Sequence, residues 1–292
     1  MKKMLFLLAL SLLAACRPEG KEIPYTTVEP KWVMNSRVDE LGGIWVSLTY
    51  SLPANYSGAA KNLAEQLESM MIPNANVQLQ LQGFSFRFEE VGKGVYYLNS
   101  PQLQEGDIAQ IEVMDTQGRL KMKANCKVPA RVDLLKNEVI GNKVNADTVF
   151  SIDVRIRKSR SGNARYLVSI GKTSDFQRLK SGAKPSLAQV IGDRSFLEKR
   201  AFLLQANDFI GDSILFHQRL PFAQTSDTVV VNVAQVDGVY FKYVEEVLRS
   251  SGWLQQLLGD AVNFHGNIEY GLGYFTLHQT KSKAFVLRKM VR

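Results

Sequence analysis

The chain has 292 residues, 45% hydrophobic and 22% charged, a balance that excludes a disordered polymer and suffices for one large or two modest domains. Its formal charge of +8 falls to +6 when Lys2 and Lys3 are set aside with a leader. The remaining cations are spread without a dense cluster, which argues against a nucleic-acid partner.

The first sixteen residues, MKKMLFLLALSLLAAC, read as an export signal. Lys2 and Lys3 form a basic n-region, Met4 to Leu13 an apolar h-region, and Leu13-Ala14-Ala15-Cys16 a small-residue cleavage site followed by a nucleophilic thiol. The apolar run is too short to span a bilayer before Arg17, Pro18 and Glu19 end it. The order resembles a bacterial lipobox. The resemblance implies a leader at 1–15, a diacylglyceryl group on the Cys16 sulfur and an acylated new amine, and two or more chains hold a protein stably to a membrane. Arg17 lacks the aspartate that retains such proteins at the inner membrane, so the expected address is the outer membrane, on either face. Residues 16–30, polar and punctuated by proline, read as a lipidated tether.

The body opens with strand signals. Ile44 to Leu52 is rich in β-branched and aromatic residues, and Pro53 stops it. Ala60, Leu63, Ala64, Leu67, Met70 and Met71 then fall at helical spacing between Ser57 and Pro73, predicting one short helix. Strands are predicted at Val77 to Leu81, Phe84 to Phe88, Val95 to Leu98, Ile108 to Met114 and Leu120 to Val128, mostly alternating with a period of two. Asp115-Thr116-Gln117-Gly118 joins the last two as a hairpin, with glycine supplying a positive φ. Leu120, Met122, Ala124, Cys126 and Val128 form the inward set of that final strand, so Cys126 is expected to be a buried, inert thiol. With Cys16 lipidated, it has no disulfide partner.

Beyond Pro129, Val149 to Ile156 and Tyr166 to Ile170 read as a second hairpin across Ser159 to Asn163. Phe196 to Leu204, Ser213 to Phe216 and Thr228 to Gln235 add strands, and an apolar stripe from Val239 to Leu258, interrupted by Gly252, predicts a helical segment. The expected fold is mainly β: an N-terminal antiparallel sandwich of Ig-like or transthyretin-like type over 31–135, then a β-rich domain over 136–292 with a helix near 239–258.

Asn267-Ile-Glu-Tyr-Gly-Leu-Gly-Tyr-Phe275 resembles the closing signature of a family of uncharacterised Bacteroidota outer-membrane lipoproteins, domain of unknown function 4249. Asn207 to Gly211, Asn76-Val77, Gly94-Val95-Tyr96 and Val128-Pro129 are similar to its looser features. The resemblance marks Asn267, Gly271, Gly273 and Phe275 as signature residues. Because members are often encoded beside TonB-dependent transporters, it also implies an accessory role in uptake or secretion.

Catalytic chemistry finds little support in the residues. His217, His265 and His278 lack metal-ligand spacing, and one free cysteine cannot complete a zinc site, so no metal or cofactor is expected. Gly211-Asp212-Ser213-Ile214 resembles the nucleophile block of GDSL-type hydrolases but lacks the downstream Asp-x-x-His. Gly92-Lys93-Gly94 is too short to cradle phosphate, and Glu89-Glu90 and Glu245-Glu246 point to different faces as neighbours. Most aromatics should fill the core, with Trp253 and Tyr97 the expected exposed pair and candidate binding surface. The expectation is a noncatalytic, lipid-anchored binding or accessory protein partnered by an outer-membrane transporter or another envelope protein; the alternative is a carbohydrate-binding or hydrolytic envelope lipoprotein.

Overall fold

A computed structural model describes residues 29–39, 42–51, 68–99, 101–144, 147–159, 163–172, 201–220, 226–249 and 266–289. The first eight strands are β1 (Trp32–Val38), β2 (Ile44–Tyr50), β3 (Asn76–Leu81), β4 (Phe84–Arg87), β5 (Glu89–Gly92), β6 (Val95–Leu98), β7 (Ile108–Met114) and β8 (Leu120–Lys127). Next come β9 (Asp133–Val144), β10 (Asp147–Arg157), β11 (Arg165–Lys172), β12 (Ala201–Gln205), β13 (Ser213–Arg219), β14 (Thr228–Val236), helix α1 (Gly238–Arg249), β15 (Ile268–Glu269), β16 (Leu272–Tyr274) and β17 (Thr280–Val286). The protein is mainly β, and among the described residues its strand pairs are antiparallel except for β1 with β16.

The described residues form four sheets around two cores. Sheets ordered β16-β1-β2-β6-β5 and β15-β8-β7-β3-β4 bury Met34, Val46, Leu48, Leu79, Ile111, Met122 and Tyr96 between them. Sheets ordered β13-β10-β9 and β12-β11-β14-β17 bury Phe150, Ile152, Ile156, Tyr166, Val168, Val231 and Phe285. The period-two alternation of β3, β7 and β10 produces this, since every second side chain leaves water. β14 is buried on both faces: Val229, Val231 and Val233 enter the second core, while Ala234 and Val236 lie under Tyr240, Phe241 and Val244 of α1. A two-sided environment suits its apolar character, which only Asn232 and Gln235 interrupt after Thr228.

The β7–β8 hairpin forms as expected. Gly118 holds φ 77°, its amide donates to the Asp115 carbonyl at 3.0 Å, and the pairing slips at Val113/Met114. That bulge corrects one detail. Leu120, expected inward, is exposed, because the extra residue rotates the strand start away from the core while Met122, Ala124 and Cys126 stay buried.

A second correction concerns β10 and β11, expected to pair as a hairpin. β10 lies between β9 and β13, and β11 between β12 and β14, so the chain crosses from one sheet to the facing one. Alternation reports which side chains are buried and is silent on whether the next strand lies beside or opposite. Strands β1, β9 and β17 were not anticipated, each being polar over about half its length. Of the helix expected at 57–71, residues 68–70 are described and helical while Met71 forms a bridge to Thr49 of β2; α1 covers the start of the expected 239–258 segment, and the other residues of both lie outside the described residues.

The division at 31–135 and 136–292 places residues 268–277 in the second half. Here β15 pairs with β8, β16 pairs with β1, and Phe275 and Leu277 belong to the first core. The C-terminal stretch therefore crosses back and completes the N-terminal sandwich.

Candidate functional site

The signature residues meet at this crossing. Asn267 Nδ2 donates to the Asn125 carbonyl at 3.0 Å and the Phe275 carbonyl at 2.9 Å, while its Oδ1 accepts from the Phe275 amide at 2.8 Å. One amide thus ties β8 to both ends of the 267–275 excursion. A Cβ on Gly271 would stand 2.7 Å from the Met122 sulfur and 2.9 Å from the Trp32 carbonyl oxygen. Gly273 holds φ 102°, and a Cβ there would overlap the Met34 carbonyl oxygen. Both glycines let the excursion lie against β1 and β8, and Phe275 fills the first core behind them. The signature is a closure between chain ends.

Next to the closure lies a buried polar junction. Asp237 caps α1, its Oδ1 accepting from the amides of Val239 and Tyr240 at 2.8 Å each, and its Oδ2 accepts from the Thr276 hydroxyl at 2.7 Å. The Thr276 amide in turn donates to Ser36 Oγ at 2.8 Å, so helix, C-terminal segment and β1 are linked in one chain of bonds. His278 stacks on Tyr240 with centroids 5.8 Å apart, and its Nδ1 has no hydrogen-bond partner among the described residues. Burial holds the His278 imidazolium pKa down at about 4, against the opposing pull of Asp237. Burial likewise raises the Tyr240 phenol, and it pushes the Cys126 thiol up to about 12 with help from Asp237. These are neutral groups away from solvent, and the arrangement holds elements together.

The open site is at one end of the first sandwich. Trp32 and Tyr50, opposite one another in the β1–β2 register, meet edge to face at 6.1 Å. They face Ile72, Pro73 and Ala75 and the hairpin residues Asp115, Thr116, Arg119 and Lys121 across a cleft of 280 Å³. Tyr96 braces its floor: the phenol donates to the Ile72 carbonyl at 3.0 Å and accepts from the Ala75 amide at 2.9 Å. Asp115 accepts from the Gln117 and Arg119 amides and from Arg119 Nε at 2.9 to 3.0 Å, with Lys121 Nζ at 3.4 Å. The Arg119 amide leads in holding this carboxyl well below the usual range. Asp115 is thereby spent on its own turn, and the two cations give the cleft a positive rim.

Cys16 and Trp253 lie outside the described residues. Tyr97 does alternate with the buried Tyr96, yet it is half-buried, its ring 4.6 Å from that of Trp45, which donates through Nε1 to Asp39 at 3.0 Å. Ser213 Oγ accepts from Arg155 Nε at 3.1 Å, and His217 contacts Asp153 at 2.6 Å. Ser213 and His217 sit four residues apart on one strand, about 13 Å, too far for a nucleophile and its base. Among the described residues no group of three His, Cys, Asp or Glu is placed to hold a metal ion, and no helix is long and apolar enough to cross a membrane. Sequence reasoning missed Trp32, Tyr50 and Arg119 as cleft residues. It also missed Asp237, although an aspartate just before a helical stripe is a cap signal.

Fold and closure together define a mainly antiparallel β protein with two sheet-on-sheet cores, the first completed by its own C-terminal segment. The chain belongs to the family described as Domain of unknown function (DUF4249), whose model matches residues 20–284. No curated protein matches it. A solved chain titled "Cytokine receptor complex - Crystal form 1A" aligns over 87% of this chain and 96% of its own at 9% identity and a TM-score of 0.23, too low to define a shared architecture.

Proposed function

We propose that this chain is a lipid-anchored outer-membrane protein of Bacteroidota, held by acyl groups on Cys16 and serving as a noncatalytic binding or accessory component, with an outer-membrane transporter of the TonB-dependent kind as its partner. The observation that carries this reading is the lipobox-like stretch at Leu13 to Cys16 followed by only fifteen residues, Arg17 to Lys31, before β1. Such a tether keeps the body within about 50 Å of the bilayer even when fully extended. A binding surface on that body, such as the cleft between Trp32 and Arg119, is then concentrated at the membrane.

The mass of the N-terminal peptide of membrane-extracted protein tests the anchor. Diacylglyceryl on Cys16, lost in Cys16→Ala, is expected; an unmodified cysteine sinks the reading. Cross-linking before extraction and affinity purification tests the accessory role, and recovery of no envelope protein across several growth conditions would refute it.

A saccharide-binding role is the second reading, favoured by the aromatic pair Trp32 and Tyr50 beside the cations Arg119 and Lys121. Aromatic faces stack on sugar C–H surfaces while charged groups take the hydroxyls. Titration with envelope and dietary polysaccharides, scored against Trp32→Ala, checks it.

A further inference from the structure

We infer that the cleft end of the first sandwich lies against the headgroup layer of the bilayer that holds the anchor; this rests on the proposed lipidation of Cys16. The point where the tether joins the body is fixed by hydrogen bonds. The Lys31 amide donates to Ser51 Oγ at 3.0 Å and the Ser51 amide donates to the Lys31 carbonyl at 2.8 Å, one residue from Trp32 and from Tyr50. The end of the body nearest the anchor is therefore the cleft end.

The side chains at that end suit an interface. Tyr270 is 76% exposed, Leu120 45%, Leu272 44% and Tyr50 39%. Leu272 pairs with Val33 beside Trp32, Gly271 lies so close that a Cβ on it would meet the Trp32 carbonyl, and Leu120 stands between the cleft residues Arg119 and Lys121. Four exposed large apolar side chains thus gather around one junction, where tyrosine and tryptophan are at home between water and hydrocarbon. Tyr270 is also held at φ 65°, a conformation that bulky residues avoid. Arg119 and Lys121 are both paired with Asp115, which offsets part of their charge. The contact is consequently apolar in the main and resists salt.

The chain's own thiols make the test clean, since lipidation occupies Cys16 and Cys126 is buried. Tyr270→Cys and, at the opposite end of the sandwich, Phe84→Cys are each labelled with an environment-sensitive fluorophore in the full lipidated protein and reconstituted into phosphatidylethanolamine–phosphatidylglycerol vesicles. At 270 the emission is expected to shift to the blue and to be quenched by headgroup nitroxide lipids, persisting in ~0.5 M salt; at 84 neither occurs. Equal behaviour at both positions overturns the inference. So does shielding of 270 that needs added envelope protein or saccharide, which would identify that partner instead. In unlabelled protein, Tyr270→Asn tolerates the backbone and keeps the fold, and it should reduce protection of the 115–119 turn from hydrogen exchange in vesicles. Absence of lipid on Cys16 overturns the anchoring proposal together with this one, whereas lipidated protein with an unshielded 270 overturns this one alone.

Discussion

Asn267 grips the backbone of Phe275 from both sides, donating to its carbonyl at 2.9 Å and accepting from its amide at 2.8 Å. A side chain eight residues upstream thereby imitates a strand neighbour. It fixes the excursion that carries Gly271 and Gly273, and the third bond, to the Asn125 carbonyl at 3.0 Å, fastens that excursion to β8.

Asn267→Ala removes all three bonds and leaves the Phe275 amide and two carbonyls without this partner. At about 1 kcal/mol per net hydrogen bond, the loss should be about 3 kcal/mol. Urea unfolding followed by tryptophan fluorescence measures it. A loss below about 1 kcal/mol would mean that water replaces the amide freely.

Gly273→Ala and Gly83→Ala share a positive φ, 102° and 81°, and differ in space. A Cβ at 273 runs into the Met34 carbonyl, while among the described residues nothing lies within 4 Å of one at 83. The backbone penalty alone is about 1 kcal/mol, which is the expectation for Gly83→Ala. Gly273→Ala must also displace β16 from β1 and should cost more than about 3 kcal/mol or prevent folding. Similar thermal midpoints for the two variants would contradict the closure role.

His278 makes stability depend on pH with a definite sign. Its pKa falls from the ordinary histidine value of 6.5 to about 4 in the folded chain, so between those values the unfolded chain binds the extra proton. The contribution is complete above pH 6.5 and is lost as pH falls toward 4, in all about 3 kcal/mol at 1.36 kcal/mol per unit. His278→Leu should flatten the stability profile across that window relative to the parent. An unchanged difference between pH 7 and pH 4.5 would refute the assignment.

Cys126, with its thiol pushed up to about 12 by burial, is expected to resist a disulfide reagent at pH 8 in the folded protein and to react at once in denaturant. Counting released chromophore decides the matter. Native reactivity at the rate of a free thiol would show that β8 opens.

Much of the first sandwich was legible because local chemistry and burial agree there. The Asp115 to Gly118 turn, the alternation of β7 and β8 and the inward Cys126 are all readable over ten residues or so. β1 was not, since only Met34 and Ser36 of Trp32–Val38 are buried, and such a strand carries a weak period. Nor was the cleft: Trp32, Ala75 and Arg119 are far apart in sequence and carry no shared motif.

Local sequence sufficed for the mainly β character, the β7–β8 hairpin and the segment in which the signature falls, because each depends on residues close together in the chain. What the signature does emerged from the assembled fold alone. Asn267, Gly271 and Gly273 owe their identity to Asn125, Met122, Trp32 and Met34, more than a hundred residues away, and a contact that distant leaves no period to read. The same folding brings Tyr270 and Leu272 beside Trp32 at the cleft end, and so makes one surface from the two ends of the chain.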